Sequence, residues 1–177
     1  KNWLKNNLLI MNKFKADIVT GPQKYLKINQ NKNLINYNEL FEKKYNSELK
    51  KVKWAATNNV FLEYSVIKKH KLIFDKTLNK FECGEDQLFF SKLNSCGHKI
   101  YWSKTIKVFE SIDIHRSSLN WLIRRSFRVG VLGYHIDRSI HGRLVGFIIN
   151  YLKSIYYFVK ALSLFFLFFK NKFLIQA

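Results

Sequence analysis

The run Phe81-Glu82-Cys83-Gly84-Glu85-Asp86-Gln87-Leu88-Phe89-Phe90 places two adjacent carboxylates between a glycine and an apolar helical pattern. A helix start carries unpaired N–H groups and the positive end of the macrodipole, so ionised carboxylates are favoured there. A carboxylate held in that way at the mouth of a site has the chemistry of a general base. Acidic first turns are also common as plain helix caps, and on these ten residues alone capping outweighs catalysis. Their neighbours reverse that weighting.

Several elements must position the pair. Trp3 to Phe14 has helical apolar spacing, with Leu4, Leu8 and Met11 on one face. Ile18-Val19-Thr20 reads as a short strand that ends at the turn Gly21-Pro22. Residues 24 to 50 are polar, rich in Asn and Lys, with room for at most one helix around Glu39 to Tyr45. Long excursions of this kind serve as acceptor-binding loops or as solvated inserts. Lys53 to Phe61 carries a strand, and Glu63 to His70 a helix that turns Val66 and Ile67 inward. Glu85 to Ser95 is a helix with an apolar face of Leu88, Phe89, Leu93 and Cys96, closed by Gly97. Ile100 to Trp102 and Ile106 to Phe109 are strands, and Ser117 to Val129 is a helix capped by Ser117 or Ser118. The alternation predicts an α/β layer.

The same pieces, in this order, resemble the C-terminal half of a family 2 glycosyltransferase, an inverting nucleotide-sugar-dependent enzyme of GT-A fold. Ala16-Asp17-Ile18-Val19-Thr20-Gly21-Pro22 is similar to the strand and turn that follow the donor-binding half. Trp54-Ala55-Ala56-Thr57-Asn58-Asn59-Val60-Phe61 resembles the acceptor-lining segment, and Phe74-Asp75 precedes Gly84-Glu85-Asp86, similar to the acidic catalytic motif. Cys83 stands where many members carry a second glycine. Gly97, Lys99 to Trp102, Val108-Phe109-Glu110 and the basic segment Arg116 to Gly130 with Trp121 complete the series.

The resemblance implies roles residue by residue. Asp86 is the base that removes a proton from an acceptor hydroxyl, and Glu85 orients the acceptor or a neighbouring cation. Gly84 lets the backbone come close to the sugar. Arg116, Trp121, Arg124 and Arg125 fall in the segment that lies near donor and acceptor, and Asn58 and Asn59 are placed to hydrogen-bond sugar hydroxyls. Each also has a plainer reading: the arginines as lipid-facing cations, Trp121 as packing, the asparagines as turn residues. The complete enzyme would use a divalent metal, Mg or Mn, through an Asp-x-Asp element. Asp17 is the only acidic residue among the first 38, so that element is not in this chain, and the reading implies a donor-binding half ahead of Lys1.

Apolar residues make up 47% of the 177, ample for a buried core, and the net charge is +19. Ten basic side chains between residues 111 and 177 face only Asp113 and Asp137 in that region, an excess that attracts phosphates or anionic headgroups. Leu144 to Phe169 is long enough to cross a bilayer, interrupted by Lys153 and Lys160 on one helix face. Its sixteen Leu, Ile, Val and Phe residues favour insertion by roughly 5–10 kcal/mol, against about 5–7 for two central lysines. Membrane association is the expectation, whether spanning or lying in the interface, with a buried core helix as the plainer alternative. Cys83 and Cys96 read as buried thiols in a reducing cytoplasm; His115 has the chemistry of a metal ligand, though a lone His is more often structural, and His70, His98, His135 and His141 form no visible pattern.

The expected architecture is therefore α/β, a partial GT-A layer over residues 1–143 with a hydrophobic, membrane-associated tail over 144–177. The expected function is inverting sugar transfer from a nucleotide-sugar donor to a glycan or lipid-linked acceptor, at the cytoplasmic face of the cell membrane, in polysaccharide or cell-envelope synthesis. Two other classes remain: a non-catalytic membrane-bound glycan-binding relative, and a basic nucleic-acid-binding protein. The last is disfavoured, since no helix-turn-helix, zinc or RNA-binding signature accompanies the charge, and no specific nucleic-acid partner is expected.

Overall fold

Ile18, Val19 and Thr20 are all buried, as happens in a strand covered on both faces. The computed structural model that shows this describes residues 2–26, 45, 47–81, 83–111, 116 and 118–176. The chain is mixed α/β. In chain order come α1 (Trp3–Phe14), β1 (Ile18–Thr20), β2 (Gln23–Leu26), β3 (Leu49–Val52), β4 (Val60–Leu62) and α2 (Tyr64–His70). They are followed by α3 (Glu85–Ser95), β5 (Ile100–Ser103), β6 (Val108–Ser111), α4 (Leu119–His141) and α5 (Arg143–Gln176). Two 3₁₀ turns, Thr57–Asn59 and Lys76–Phe81, precede β4 and α3.

The main sheet has the order β3-β5-β1-β4. β1 and β5 run parallel, Ile18 opposite Ile100, while β4 and β3 flank them antiparallel. β2 and β6 form a separate parallel pair, Gln23 opposite Val108. Alternation along β1 divides the core. Ile18 joins Ile100, Val66, Phe89, Phe90 and Leu93 on the face covered by α2 and α3. Val19 joins Met11, Ala16 and Ile106 on the face covered by α1. Phe74 extends the first cluster by stacking on Phe89, with ring centroids 4.5 Å apart.

The α3 helix has the expected bounds and a well-defined end. Gly97, at φ +93°, donates its N–H to Asn94 O at 3.0 Å, and His98 donates to Leu93 O at 3.2 Å. This is the paired arrangement that closes a helix through a left-handed glycine. α4 starts with Ser118, whose Oγ accepts the Trp121 N–H at 3.2 Å.

Several expectations are corrected. The inward face of α1 is Trp3, Asn7 and Met11, with Leu4 54% and Leu8 45% exposed. The cause is polar: the Trp3 indole N–H donates to Asn59 Oδ1 at 2.9 Å, and Asn7 Nδ2 donates to Trp3 O, which fixes the helix rotation. Phe90, not Cys96, completes the buried face of α3, and Cys96 is exposed. The polar stretch 24–50 has strands at its ends, since Lys50 and Lys51 sit in the edge strand β3, where exposed lysines are suited. The strand expected from Lys53 is confined to Val60–Leu62 because Asn59 N–H bonds Ala56 O and bends the chain just before it. β6 begins at Val108 because pairing with β2 sets its register. α4 continues through Gly130 and Gly133 to His141, twelve residues beyond Val129. The expected helix near Glu39 and the segment Asp113-Ile114-His115 lie outside the described residues.

The chain separates into two compact units, Lys1–Leu132 and Gly133–Ala177. The division falls within α4 and follows packing, whereas a division at 143/144 follows hydropathy. In the second unit α5 turns back at Gly142, whose φ is +83°. A Cβ at Gly146 would lie 2.7 Å from Arg138 Cα, so only glycine permits this closeness of the two helices. Asp137 Oδ2 accepts from Asn150 Nδ2 at 2.8 Å and from Lys153 Nζ at 2.5 Å. Fifteen large apolar side chains between Leu144 and Phe166 are exposed. Among the described residues no helix is long and apolar enough to cross a membrane.

Candidate active site

Thr20, Trp102 and Val60 mark the edge of the main sheet where the parallel strands β1 and β5 end. Open α/β sheets bind ligands outside that edge. The turn Gly21-Pro22 carries the chain from β1 into β2; a Cβ at Gly21 would sit 1.9 Å from Ile106 O. Gln23 at the head of β2 accepts a hydrogen bond from Asn58 Nδ2, so the first strand pair and the Thr57–Asn59 turn meet here. The N-terminus of α3 arrives at the same place.

Asp86 is fixed by two backbone donors. Its Oδ2 accepts the Thr57 N–H at 3.4 Å, and its Oδ1 accepts the Gln87 N–H at 2.7 Å. Glu85 is partly buried, and its Oε2 is a buried oxygen without a hydrogen-bond partner among the described residues. Gly84 caps the helix at φ +94°. The space over its Cα is filled by Leu132 of α4: a Cβ there would lie 1.8 Å from Leu132 Cδ2. The close approach that Gly84 permits is thus to a helix, which corrects the expectation of approach to a sugar.

Arg125 and Arg128 of α4 lie near this cluster. Burial pushes the Cys83 thiol up in pKa, opposed by the positive charge of Arg125 and then Arg128, and aided by Glu85 and Asp86. Those four charged groups therefore lie within electrostatic reach of one sulfur atom. Burial also raises the Tyr25 pKa, a hydrogen bond with Gln23 opposes it, Glu110 adds to it, and Arg125 and Arg116 counter it. Arg125 has its guanidinium carbon 5.2 Å from the centroid of the Trp121 ring, which holds the side chain by a cation–π contact. Arg124 is exposed.

Asn58, Gly84, Glu85, Asp86, Arg116, Trp121 and Arg125 thus belong to one neighbourhood. Asn59 does not face it. It is 2% exposed, and Nδ2 spends both hydrogens on Pro22 O at 3.2 Å and Ile106 O at 2.9 Å. Its Oδ1 takes the Trp3 indole, and its carbonyl takes Thr20 Oγ1 at 2.7 Å. Asn59 is a tether of the core with no donor left for a sugar. The residues that the sequence pattern does not single out are Gln23 and Tyr25, while Thr57, Glu110 and Arg128 stand in its segments without an assigned site role. Only the Gly21-Pro22 turn signals that the next residues re-enter the structure.

Among the described residues no three His, Cys, Asp or Glu side chains gather to hold a metal ion. Glu85 and Asp86 thus supply at most two carboxylates here, short of a divalent-metal site among the described residues. A groove of ≈ 300 Å³ lined by Met11, Asn12, Lys15, Ala16, Asp17 and Glu63 lies at the opposite end of β1. Comparison with protein-family models gives no match, and comparison with curated proteins gives none.

Proposed function

We propose that this chain forms the acceptor side of an inverting, GT-A-type glycosyltransferase that uses a nucleotide-sugar donor, with Asp86 as general base. The observation that carries the reading is the fixing of the Asp86 carboxylate at the start of α3, near Arg125 and Arg128 of α4 and outside the ends of parallel strands. The ordered motifs of the sequence point the same way.

Inversion is a direct displacement at the anomeric carbon. The acceptor oxygen forms its new bond on one face while the nucleotide diphosphate departs from the other with the bonding electron pair. Asp86 receives the proton of the attacking hydroxyl; its backbone anchors hold the carboxylate in one orientation, so little is lost in positioning. Glu85, with an unpartnered oxygen one residue away, accepts a hydroxyl of the acceptor. Arg125 and Arg116 supply positive charge for anionic groups of the substrates, and Arg suits phosphate because its planar fork bonds in two places. A divalent metal would draw its ligands from outside these residues and would supply positive charge to the departing diphosphate.

The second unit fits association with a lipid surface at the cytoplasmic side of the membrane. Its apolar side chains are exposed, and Asp137 neutralises Lys153, one of two lysines that oppose burial in lipid. The acceptor is then a glycan or a lipid-linked saccharide at the membrane, in keeping with polysaccharide or cell-envelope synthesis.

The test is sugar transfer to endogenous acceptors in membranes of cells that carry the natural gene or its Asp86→Asn form. A panel of labelled nucleotide sugars is supplied, and protein level is checked in parallel. A product that disappears only in Asp86→Asn supports the reading; equal product in both overturns it.

A further inference from the structure

His70 ends α2, and His98 follows the glycine that closes α3. Their Nε2 atoms converge to 2.8 Å, with ring centroids 4.9 Å apart at an interplanar angle of 88°. On its other side His98 Nδ1 lies 3.4 Å from Asp17 Oδ1, and Asp17 Oδ2 is fixed by the Lys99 N–H at 2.7 Å. Asp17, 3.4 Å from Nδ1, electrostatically favours the proton on that nitrogen and leaves the Nε2 lone pair for a ligand, as carboxylates behind metal-bound imidazoles do. The His98 side chain is 12% exposed and that of Asp17 33%, so solvent reaches the edge of the group.

We propose that His70 and His98 form a two-imidazole site for a late transition-metal dication of the Ni²⁺ or Cu²⁺ type, with Asp17 as its orienting partner. The separation selects the geometry. With metal–nitrogen bonds of about 2.0–2.1 Å, nitrogens 2.8 Å apart subtend an angle of roughly 85–90°. That is the angle of adjacent positions on a square-planar or octahedral ion; a tetrahedral ion needs nitrogens about 3.3 Å apart. To bind the ion the two rings turn from facing each other towards a common point, and His70 exchanges its Nε2 proton for one on Nδ1 through solvent, so that both Nε2 lone pairs coordinate with no net proton released. Water completes the coordination, since no third His, Cys, Asp or Glu joins the two among the described residues. The site lies before the first residues of β1 and β5, at the edge of the sheet away from Asp86, and ties the end of α2 to the entry of β5.

The experiment is titration of the untagged full chain with Ni²⁺, read by calorimetry and by the imidazole ¹⁵N signals of the histidines. One ion is expected per chain, with the signals of His70 and His98 affected first. His70→Gln keeps a donor for His98 Nε2 and should fold normally, as circular dichroism will check, yet lose at least tenfold in affinity. Asp17→Asn should lose about ten- to a hundredfold, and His135→Gln should change nothing. Equal Ni²⁺ affinity in the folded His70→Gln protein, or first effects at other histidines, would overturn the site.

Discussion

Leu132 occupies the space that any side chain at position 84 would need, with its Cδ2 1.8 Å from where a Cβ would stand. Forty-eight residues apart in sequence, these two fix the first turn of α3 against α4. The carboxylates of Glu85 and Asp86 inherit their position from that contact.

Gly84→Ala should therefore destabilise the protein by about 2–4 kcal/mol, through a left-handed φ and through overlap with Leu132. Leu132→Ala in the same chain relieves only the overlap, so the double variant should be less unstable than the two single effects added together. Urea unfolding of the four proteins measures this. Strict additivity would show that Leu132 is not what excludes a side chain at 84.

Asn59 should behave as a core residue. Asn59→Ala leaves Pro22 O, Ile106 O and the Trp3 indole without their partner. About 3 kcal/mol or more should be lost, since stranded buried polar groups cost about 1–3 kcal/mol each. Trp3 fluorescence should shift as α1 loosens, and a change under 1 kcal/mol would contradict the tether.

Asp75 gives a pH signature. The Thr77 hydroxyl, at 2.7 Å, and then the Thr77 N–H, at 3.0 Å, hold its carboxyl below the usual range. A depressed folded-state pKa means that its contribution is complete above the unfolded carboxyl value and is lost as pH falls through the folded one. Carbon-detected NMR should find Asp75 titrating at lower pH than a free aspartate. Thr77→Val should raise it towards the ordinary value while the N–H bond remains. No rise would assign the shift to other causes.

The second unit should bring the chain to anionic membranes. Sedimentation with vesicles of 70% phosphatidylcholine and 30% phosphatidylglycerol should deplete the protein from solution. Phe158→Asp combined with Leu162→Asp should reduce the bound fraction at least tenfold, because each places a charge where α5 is apolar and exposed. Raising salt should weaken binding less than those substitutions do. Binding that vanishes in salt but survives both aspartates would make the association purely electrostatic.

Local signals were the legible ones. The bounds of α3, its glycine stop, the strand Ile18–Thr20 and the helix after Glu63 follow from apolar spacing and turn residues within a few positions. The acidic pair and Arg125 were also visible, because charge at a helix start and an Arg beside a Trp are near-neighbour patterns. What sequence spacing missed depends on partners far along the chain. β3 is an edge strand with two lysines and is recognisable only through its pairing with β5. Asn59 looks like a turn residue until Trp3, Pro22 and Ile106 converge on it.

The sequence by itself determined an α/β chain, a strongly cationic one, with a carboxylate pair at a helix start and an apolar tail. Periodicity, composition and helix-end chemistry depend on residues a few positions apart, so they survive without coordinates. The tertiary structure alone decided which side of α1 faces inward, that Leu132 rather than a ligand covers Gly84, and that His70 and His98 meet. Each is a contact between segments that only sheet order and helix packing bring together, and no local pattern encodes such a distance.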